Sequence, residues 1–500
     1  MKLISRIRSK LGVELPIRSL FEAPTIENLS GHLSSEKTVQ RPLQKIQRPE
    51  RIPLSFAQRR LWFLNQLEEF SSTYSIPIVL HLQGSLNYNA LQTALNDLIV
   101  RHESLRTIFP ETFGVPEQRV LSMAEASKEL KPIDIDKQLL GEAITELIKC
   151  GFDLAKEPPL RIHLLKIGTQ EHVLVLLLHH IAGDGWSFGP LAHDLEKAYT
   201  ARCLNTAPQF INLPVQYVDY TLWQQDILGN ESDPNSAITH QISFWTNELA
   251  DLPDQIDLPL DRTRPTIASY QGAQVALCIN KKLHVDLVTL ANQCQASLFM
   301  VLQASLAALL TRLGAGYDIP IGTPVAGRGD SALDGLVGFF VNTIVLRSKT
   351  DGNPNFRELI ARTRSTNLAA YAHQDMPFER LVEIVNPTRS LNRHPLFQVM
   401  LTLQDADTVK LNLPDLTTTI EAVNTATSKF DLSLNFSENR SPEGVLQGIN
   451  GIIEYSTDLF DLETIQSISD RFIRLLESAV ANPDQSISKL SILSPDERHT

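Results

Sequence analysis

Hydrophobic residues recur at helical spacing in the first 35 residues of the chain. The first predicted helix has one apolar face, formed by Leu3, Ile4, Ile7 and Leu11. Gly12 follows that helix and marks its end. Two further short helices are predicted, around residues 17–21 and, after Pro24-Thr25, around residues 26–33. So short a segment cannot bury three apolar faces by itself. We therefore interpret residues 1–35 as the end of a domain whose beginning lies outside this sequence.

The next segment is polar, and strand and helix patterns alternate after it. Residues 36–52 contain two prolines and few apolar residues, which is typical of a linker. From Pro53 onward, short apolar runs predict strands, and apolar residues at 3.6-residue spacing predict helices. The predicted strands are 76–82, 161–167, 172–180, 343–348 and 430–436, and the predicted helices are 90–100, 191–199, 283–295, 298–313 and 461–480.

A polar stretch in the middle of the chain predicts a division into two lobes. Residues 226–237 read DILGNESDPNSA and contain glycine and proline. We place a first lobe at 53–225 and a second at 226–485. A chain of 500 residues is also too long for one ordinary core.

Composition excludes several classes of protein. Hydrophobic residues make up 43% and charged residues 20%, as in globular proteins, and the formal net charge is -12. An acidic chain is a poor candidate for binding nucleic acid, which needs basic patches. The first ten residues have no signal-peptide pattern, and no apolar run predicts a membrane span, so we expect a cytoplasmic protein. Widely spaced Cys150, Cys203, Cys278 and Cys294 predict buried reduced thiols rather than disulfides or a zinc site.

The strongest candidate for a catalytic segment runs from His179 to Ser187, HHIAGDGWS. It lies where a predicted buried strand ends and a loop begins. Sites form at such strand ends in open α/β sheets, and a histidine there can act as a general base near neutral pH. Two structural histidines are the plain alternative. A metal site is disfavoured, because adjacent histidines on a strand point to opposite faces.

Two other motif matches predict different functions. Gly185-Trp-Ser187-Phe-Gly189 fits the G-x-S-x-G pattern of serine hydrolases, but six loop residues separate Ser187 from the strand, whereas a nucleophile elbow follows its strand directly. The glycines in residues 322–329 have the spacing of a phosphate loop. That segment lacks the Lys-Ser/Thr pair that binds phosphate and magnesium, so nucleotide binding is rejected.

The pattern HHxxxDG at 179–185 resembles the active-site motif of the condensation-domain superfamily, which includes the condensation domains of nonribosomal peptide synthetases and chloramphenicol acetyltransferase. Further segments resemble that family in the same order along the chain. They are SFAQRRLWFL at 55–64, RHESLRTIF at 101–109, YVDYTLWQ at 217–224, residues 321–328 with GFFVNT at 338–343, HQDMPFE at 373–379, and residues 389–400. The resemblance spans residues 51 to 485.

The resemblance implies an α/β (α+β) fold of two chloramphenicol-acetyltransferase-like lobes that form a V with a tunnel between them. It implies that His180 lies at the reaction centre, either as a general base or as a group that positions the amine. Asp184 is expected to have a structural role, paired with an arginine for which Arg328 is the candidate. Gly185 is expected to offer its N–H to the thioester. His179 belongs to the motif but is expected to be structural, and Trp186, Ser187 and Asn342 are candidates for the tunnel and loop.

Residues 1–35 resemble the end of a peptidyl carrier protein, and residues 486–500 resemble a linker towards an adenylation domain. The expected partners are an upstream donor carrier, a downstream acceptor carrier and an adenylation domain, with the chain a monomeric segment of a larger synthetase. Phosphopantetheine is expected on those carriers, because the GGHS-type motif with the attachment serine is absent from this sequence. No metal, nucleic acid or membrane is expected.

The resemblance leaves several functions to compare. Heterocyclisation domains carry DxxxxD in place of HHxxxDG, epimerisation domains have a different opening motif, and dual epimerising-condensing domains carry a second histidine motif. None of these fits as well as condensation. The carrier tail directly upstream suggests a donor residue of L configuration. The sequences at 101–111 and 179–187, however, also occur in domains that take donors of D configuration. A non-catalytic domain that recruits other enzymes remains an alternative, as does a thioesterase that uses Ser187.

Overall fold

The fold follows the alternation of strands and helices that the hydrophobic pattern predicts. The computed structural model describes residues 2–13, 15–23, 25–32, 42–67, 72–127, 129–388, 390–405, 411–421, 423, 426–494 and 497. Its strands are β1 (Ile52–Pro53), β2 (Ser75–Gly84), β3 (Thr107–Ile108), β4 (Glu111–Thr112), β5 (Val115–Val120), β6 (Pro132–Asp134), β7 (Leu160–Lys166), β8 (Glu171–His179), β9 (Gly272–Ile279), β10 (Asp318–Val325), β11 (Asn342–Lys349), β12 (Val399–Asp405), β13 (Leu416–Glu421), β14 (Leu432–Arg440) and β15 (Leu446–Ser456).

The α-helices lie between these strands and at the two ends of the described chain. They are α1 (Lys2–Leu11), α2 (Ile17–Glu22), α3 (Ile26–His32), α4 (Phe56–Leu67), α5 (Tyr88–Arg101), α6 (Met123–Ala126), α7 (Leu140–Lys149), α8 (Phe188–Cys203), α9 (Tyr217–Leu228), α10 (Ala237–Glu248), α11 (Lys281–Gln293), α12 (Leu298–Arg312), α13 (Phe356–Ala372), α14 (Phe378–Val385) and α15 (Leu462–Ala481). Every strand and helix predicted from the apolar spacing has a counterpart within a few residues.

The first lobe is built on a five-stranded sheet in the order β13-β2-β8-β7-β6. Strand β8 lies at its centre, and residues 172–179 of that strand are all buried. Such a continuous apolar run is expected of a strand with both faces covered. Helices α5 and α8 contribute Leu91, Leu95, Leu191 and Leu195 to the same core. Helix α8 begins only nine residues after β8 ends, so the sheet and the helix together fix the loop between them.

The second lobe is built on a six-stranded sheet in the order β11-β10-β12-β14-β15-β9. Strands β10, β12 and β14 run parallel, and the other neighbouring pairs in this sheet are antiparallel. Helix α12 is buried along nearly its whole length, which explains why its sequence is apolar on all sides. A separate small sheet joins β1, β3 and β4 to β5.

The predicted division at residue 226 leaves out two segments that return to the first lobe. Strand β13 lies far along the chain, yet it pairs with β2 at the edge of the first sheet. Val337 also packs in the first core, together with Leu411 and Leu413. These crossings tie the two lobes together, and the linear sequence gives no signal for them because they are long-range pairings.

The second half of the predicted linker is attached to the first lobe. Leu43 is buried in a cluster with Tyr217, Tyr220 and Phe340. Arg48 lies 2.8 Å from the carboxylate of Glu103. Residues 42–50 therefore pack against the first lobe, and the prediction that they form a flexible linker is wrong. Residues 36–41 of that prediction lie outside the described residues.

The prediction of four buried reduced thiols is wrong about burial. All four cysteines are free thiols, but Cys150 and Cys278 are exposed and Cys203 and Cys294 are half-buried. Among the described residues, no single helix is long and apolar enough to cross a membrane. Helices α11 and α12 pass that test only as a pair, and they are bent by 101° relative to each other.

Candidate active site

The candidate site is the loop that joins the buried strand β8 to helix α8. After His179 the chain forms two short 3-10 turns, residues 180–182 and 185–187. The Ile181 N–H donates to Nδ1 of His179 at 3.1 Å, so the His179 ring caps the first turn. A Cβ at Gly183 would lie 2.4 Å from Cδ2 of Leu178. A larger residue at position 183 would therefore have to displace the buried Leu178 side chain.

His179 is part of the core rather than of an accessible site. Its ring is 1% exposed and contacts the ring of Phe152 edge-on, with 5.8 Å between the centroids. Burial, and to a lesser extent the charge of Lys429, lower the pKa of His179 to about 3. This histidine is neutral at pH 7, and its Nδ1 is occupied by the turn. The structure gives it a structural position.

His180 occupies the boundary between the two lobes and keeps part of its surface accessible. Its backbone N–H donates to the Tyr74 carbonyl at 2.8 Å, and its ring contacts Phe339 edge-on at 5.7 Å. The expectation that His179 and His180 alternate along a strand is wrong, because His180 already belongs to the first 3-10 turn.

The electrostatic surroundings of His180 favour the neutral imidazole. Burial lowers the pKa of His180 well below 6.5, with further lowering by Lys429 and His179 and a smaller opposing effect of a hydrogen bond to the Gly183 backbone. Its Nδ1 is buried and has no hydrogen-bond partner among the described residues. A neutral imidazole is suited to accept a hydrogen bond, whereas the lowered pKa makes His180 a weaker proton acceptor than a free histidine.

Asp184 joins the loop to the second half of the chain. Its Oδ1 accepts the N–H and the O–H of Ser187, both at 3.0 Å, and its Oδ2 accepts the Phe340 N–H at 2.9 Å. The Arg328 guanidinium lies 3.4 Å from Oδ1. The side chain of Asp184 is 1% exposed, so none of these bonds competes with bulk water. Asp184 therefore positions the loop and does not reach an accessible substrate.

Arg328 pairs with Asp184, and it also holds its own loop together. Its Nη1 donates to the carbonyl of Leu336 at 3.0 Å and to that of Leu333, and its guanidinium carbon lies 4.4 Å from the centre of the Phe340 ring. The neighbouring Gly327 has φ +63°, and a Cβ there would approach the Phe340 carbonyl oxygen to 1.8 Å. Only glycine fits this close crossing of two backbone segments.

Ser187 is fully buried, and its hydroxyl belongs to the same network. The hydroxyl oxygen lies 3.0 Å both from Oδ1 of Asp184 and from the Gly338 carbonyl oxygen, which share its single proton as acceptors, and it accepts the Gly338 N–H at 3.2 Å. A nucleophilic serine needs an accessible hydroxyl beside a base. Ser187 instead connects the two lobes, and this geometry disfavours the hydrolase reading of the motif at 185–189.

Gly185 and Trp186 form the exposed part of the loop. No atom lies within 4 Å of a Cβ built at Gly185, and Trp186 is 41% exposed. This side of the loop is open to an approaching molecule, whereas the side formed by Asp184 and Ser187 faces protein.

Asn342 holds a neighbouring segment in place. Its Nδ2 donates to the carbonyls of Gln374 and Met376 at 2.8 and 2.6 Å, and its Oδ1 accepts the Phe378 N–H at 3.0 Å. The side-chain amide is thus committed to the backbone before α14. These three hydrogen bonds connect the segment GFFVNT with the segment HQDMPFE.

The segment 331–340 docks on the first lobe through residues that sequence reasoning did not assign to the site. The Ser104 hydroxyl donates to the Val337 carbonyl at 2.7 Å, and the Tyr217 hydroxyl donates to the Phe339 carbonyl at 2.6 Å. Both donors come from segments already noted in the sequence, but only the fold shows that they hold Phe339 against His180.

Lys429 was missed altogether at the sequence level. Its ammonium lies 4.5 Å from the centre of the Tyr74 ring. The backbone carbonyl of Tyr74 accepts a hydrogen bond from the His180 N–H. A lysine just before a predicted strand is an ordinary surface feature, so no sequence signal distinguished it.

The comparisons with known proteins identify the family of the chain. The family model described as "Condensation domain" matches residues 49–500, and the one described as "Phosphopantetheine attachment site" matches residues 1–33. The chain is 51% identical to a dimodular nonribosomal peptide synthase of Bacillus subtilis over 99% of its length, and 42% identical to an isonitrile lipopeptide synthase of Mycobacterium tuberculosis over 100% of its length. It covers only 21% and 20% of these relatives.

A solved structure shows the same fold. The complex of the X-domain and OxyB from teicoplanin biosynthesis contains a chain that is 34% identical, with a TM-score of 0.86. The match covers 92% of this chain and 100% of that one.

Proposed function

This chain belongs to the condensation-domain family, and from that premise we propose that it forms peptide bonds in nonribosomal peptide synthesis. The proposed donor is an aminoacyl or peptidyl thioester, and the proposed acceptor is the α-amine of an aminoacyl thioester. Both are carried on phosphopantetheine arms. The observation that carries the proposal is His180: a neutral, partly accessible imidazole on a rigid loop at the boundary of the two lobes.

The chemistry requires a neutral amine beside a thioester carbonyl. The acceptor nitrogen adds to the carbonyl carbon, the C–S bond breaks, and a proton from nitrogen ends on the leaving thiol. His180 accepts a hydrogen bond or the proton from that amine. Holding amine and thioester together supplies much of the acceleration by itself.

Asp184 and Arg328 act as positioning residues. Their buried network with Ser187 and Gly338 fixes the end of the loop that carries His180. On the open side, the backbone N–H of the exposed Gly185 is proposed to face the thioester carbonyl.

The proposed partners follow from the two ends of the chain. The carrier match at residues 1–33 supports a donor carrier on the N-terminal side. We propose an acceptor carrier and an adenylation domain on the C-terminal side, an L-configured donor, a monomeric segment of a larger synthetase, and a cytoplasmic location. The donor configuration is tested by supplying L- and D-aminoacyl donors in parallel, and the D-donor giving the faster product would contradict it.

The test is a condensation assay with loaded carriers. Donor and acceptor aminoacyl carriers are mixed with the chain, and dipeptidyl-carrier is followed by intact-protein mass spectrometry. His180→Ala is expected to slow product formation by about 10²-fold to 10⁴-fold, the usual contribution of a general base. His193→Ala is the matched control, because His193 is exposed on α8 just beyond the site. Equal rates for wild type and His180→Ala would overturn the role of His180.

A protein-binding module is the second candidate, because the X-domain relative was solved in complex with another protein, OxyB. A chain of that kind makes no dipeptide, and His180→Ala leaves its binding of partner proteins unchanged. Release of free amino acid, without dipeptide, would instead support thioester hydrolysis. The burial of Ser187 argues against that outcome.

A further inference from the structure

Lys429 lies on a short segment of the second lobe whose backbone is held on both sides. The Ser428 N–H donates to the Tyr270 carbonyl at 2.9 Å, and the Ser428 hydroxyl donates to the Phe430 carbonyl at 2.7 Å. Asp431 then begins the approach to β14, with its N–H bonded to the Gln398 carbonyl at 3.1 Å. The backbone that carries Lys429 is therefore fixed relative to the second sheet.

The Lys429 side chain reaches across to the first lobe. Its ammonium lies 4.5 Å from the centre of the Tyr74 ring, a geometry in which the ring face attracts a cation. Tyr74 immediately precedes β2, and its carbonyl accepts the His180 N–H at 2.8 Å. One residue therefore connects the Lys429 ammonium to the backbone of His180.

The charge of Lys429 acts on the groups around it. It lowers the pKa of both His179 and His180, in each case after the larger effect of burial. It also opposes the effect of burial on Glu454 of β15, whose pKa is raised. Arg328 donates to Asp184 and to the carbonyls of Leu333 and Leu336, at the other end of the loop. The Lys429 charge acts instead on the two histidines at the start of the loop.

An acyl transfer develops negative charge on the carbonyl oxygen. As the acceptor nitrogen bonds to the thioester carbon, the C=O electron pair moves to oxygen; it returns when the C–S bond breaks and the proton from nitrogen reaches the thiol. A fixed cation beside that oxygen stabilises the intermediate more than the substrate, which is what accelerates the step.

We propose that the Lys429 ammonium, held across the lobe boundary by the Tyr74 ring, stabilises this oxyanion opposite His180. The proposal rests on the condensation function proposed above. It assigns a catalytic group to the second lobe, so that the reaction requires both lobes to be in contact.

The test compares Lys429→Met, which keeps an unbranched side chain without the charge, with Lys429→Arg, which keeps the charge. Single-turnover dipeptide formation is measured with saturating carriers between pH 5.5 and 8.5. Lys429→Met is expected to lower the rate by about 10²-fold, the usual loss for one oxyanion donor, and Lys429→Arg to recover part of it. Because Lys429 lowers the pKa of His180, its removal also moves the acidic limb of the rate profile to higher pH.

Lys282→Met is the matched control, since Lys282 is an exposed lysine on α11 paired with Asp286. A Lys429→Met rate within twofold of wild type would overturn the proposal. So would an equal loss in Lys429→Met and Lys429→Arg with an unmoved pH profile, which indicates packing alone. If wild type itself forms no dipeptide, the proposed function fails first, and the proposal for Lys429 falls with it.

Discussion

Arg328→Met tests whether the network beneath His180 stabilises the contact between the lobes. The side chains of Arg328 and Asp184 are 8% and 1% exposed, so the substitution leaves a carboxylate buried without its cation. It also removes the donor to the Leu336 carbonyl. Breaking one partner of a buried ion pair typically costs about 3–5 kcal/mol. Because Asp184 keeps N–H donors from Ser187 and Phe340, we expect the lower end, about 3 kcal/mol.

The assay is urea unfolding, followed by tryptophan fluorescence and by circular dichroism. Lys282→Met is the matched control, because it breaks an ion pair whose side chains are 87% and 36% exposed. Water screens such a pair, so the control is expected to keep the wild-type midpoint. Arg328→Met is also expected to slow dipeptide formation, because the His180 loop loses its anchor.

A double-mutant cycle with Asp184→Asn gives the result that would refute the reasoning. Coupled charges give an interaction energy of about 1 kcal/mol or more, whereas independent sites add within about 0.5 kcal/mol. Additive effects of Arg328→Met and Asp184→Asn would show that the two residues do not stabilise the fold as a pair. An unchanged midpoint for Arg328→Met would show that the network contributes nothing.

Three further predictions concern acid stability, a close backbone contact and the attached linker. Burial holds the pKa of His179 at about 3, so below pH 6.5 the unfolded chain takes up a proton that the folded chain does not. The free energy of urea unfolding should therefore fall by up to about 2 kcal/mol between pH 6.5 and pH 5, and His179→Gln should reduce that dependence. Gly338→Ala should lower the melting temperature, because its Cβ would lie 2.3 Å from the Tyr217 ring, whereas Gly189→Ala, with no atom within 4 Å, should not. Leu43→Ala should speed proteolytic cleavage near residue 43, because it removes a buried anchor, and unchanged cleavage would contradict that attachment.

Much of the site was predictable because it is local. The run from His179 to Ser187 is contiguous, and the apolar strand before it predicts a strand end at that point. The loop therefore had to bring His180 and Asp184 near each other whatever the rest of the fold. Arg328 was found for a different reason, since a loop arginine among glycines called for a partner.

The division of roles within the loop was not predictable. Ser187 and Asn342 were candidates for the loop and tunnel because they are polar and near the motifs. Ser187 is hydrogen-bonded to Gly338, and Asn342 to the backbone just before α14. Partners so distant along the chain cannot be predicted from the local sequence. The same holds for the linker, whose polar composition concealed the burial of Leu43.

The sequence by itself determined the elements, the family and the position of His180, because hydrophobic periodicity and a contiguous motif are properties of neighbouring residues. The tertiary structure alone decided that β13 closes the first sheet, that Ser187 is buried, and that Lys429 reaches Tyr74. Each of these depends on chain segments that are distant in sequence and meet only when the two cores form. Long-range contacts are determined by how the apolar faces of whole helices and strands pack together. They depend on many residues along the chain and cannot be predicted from any one position.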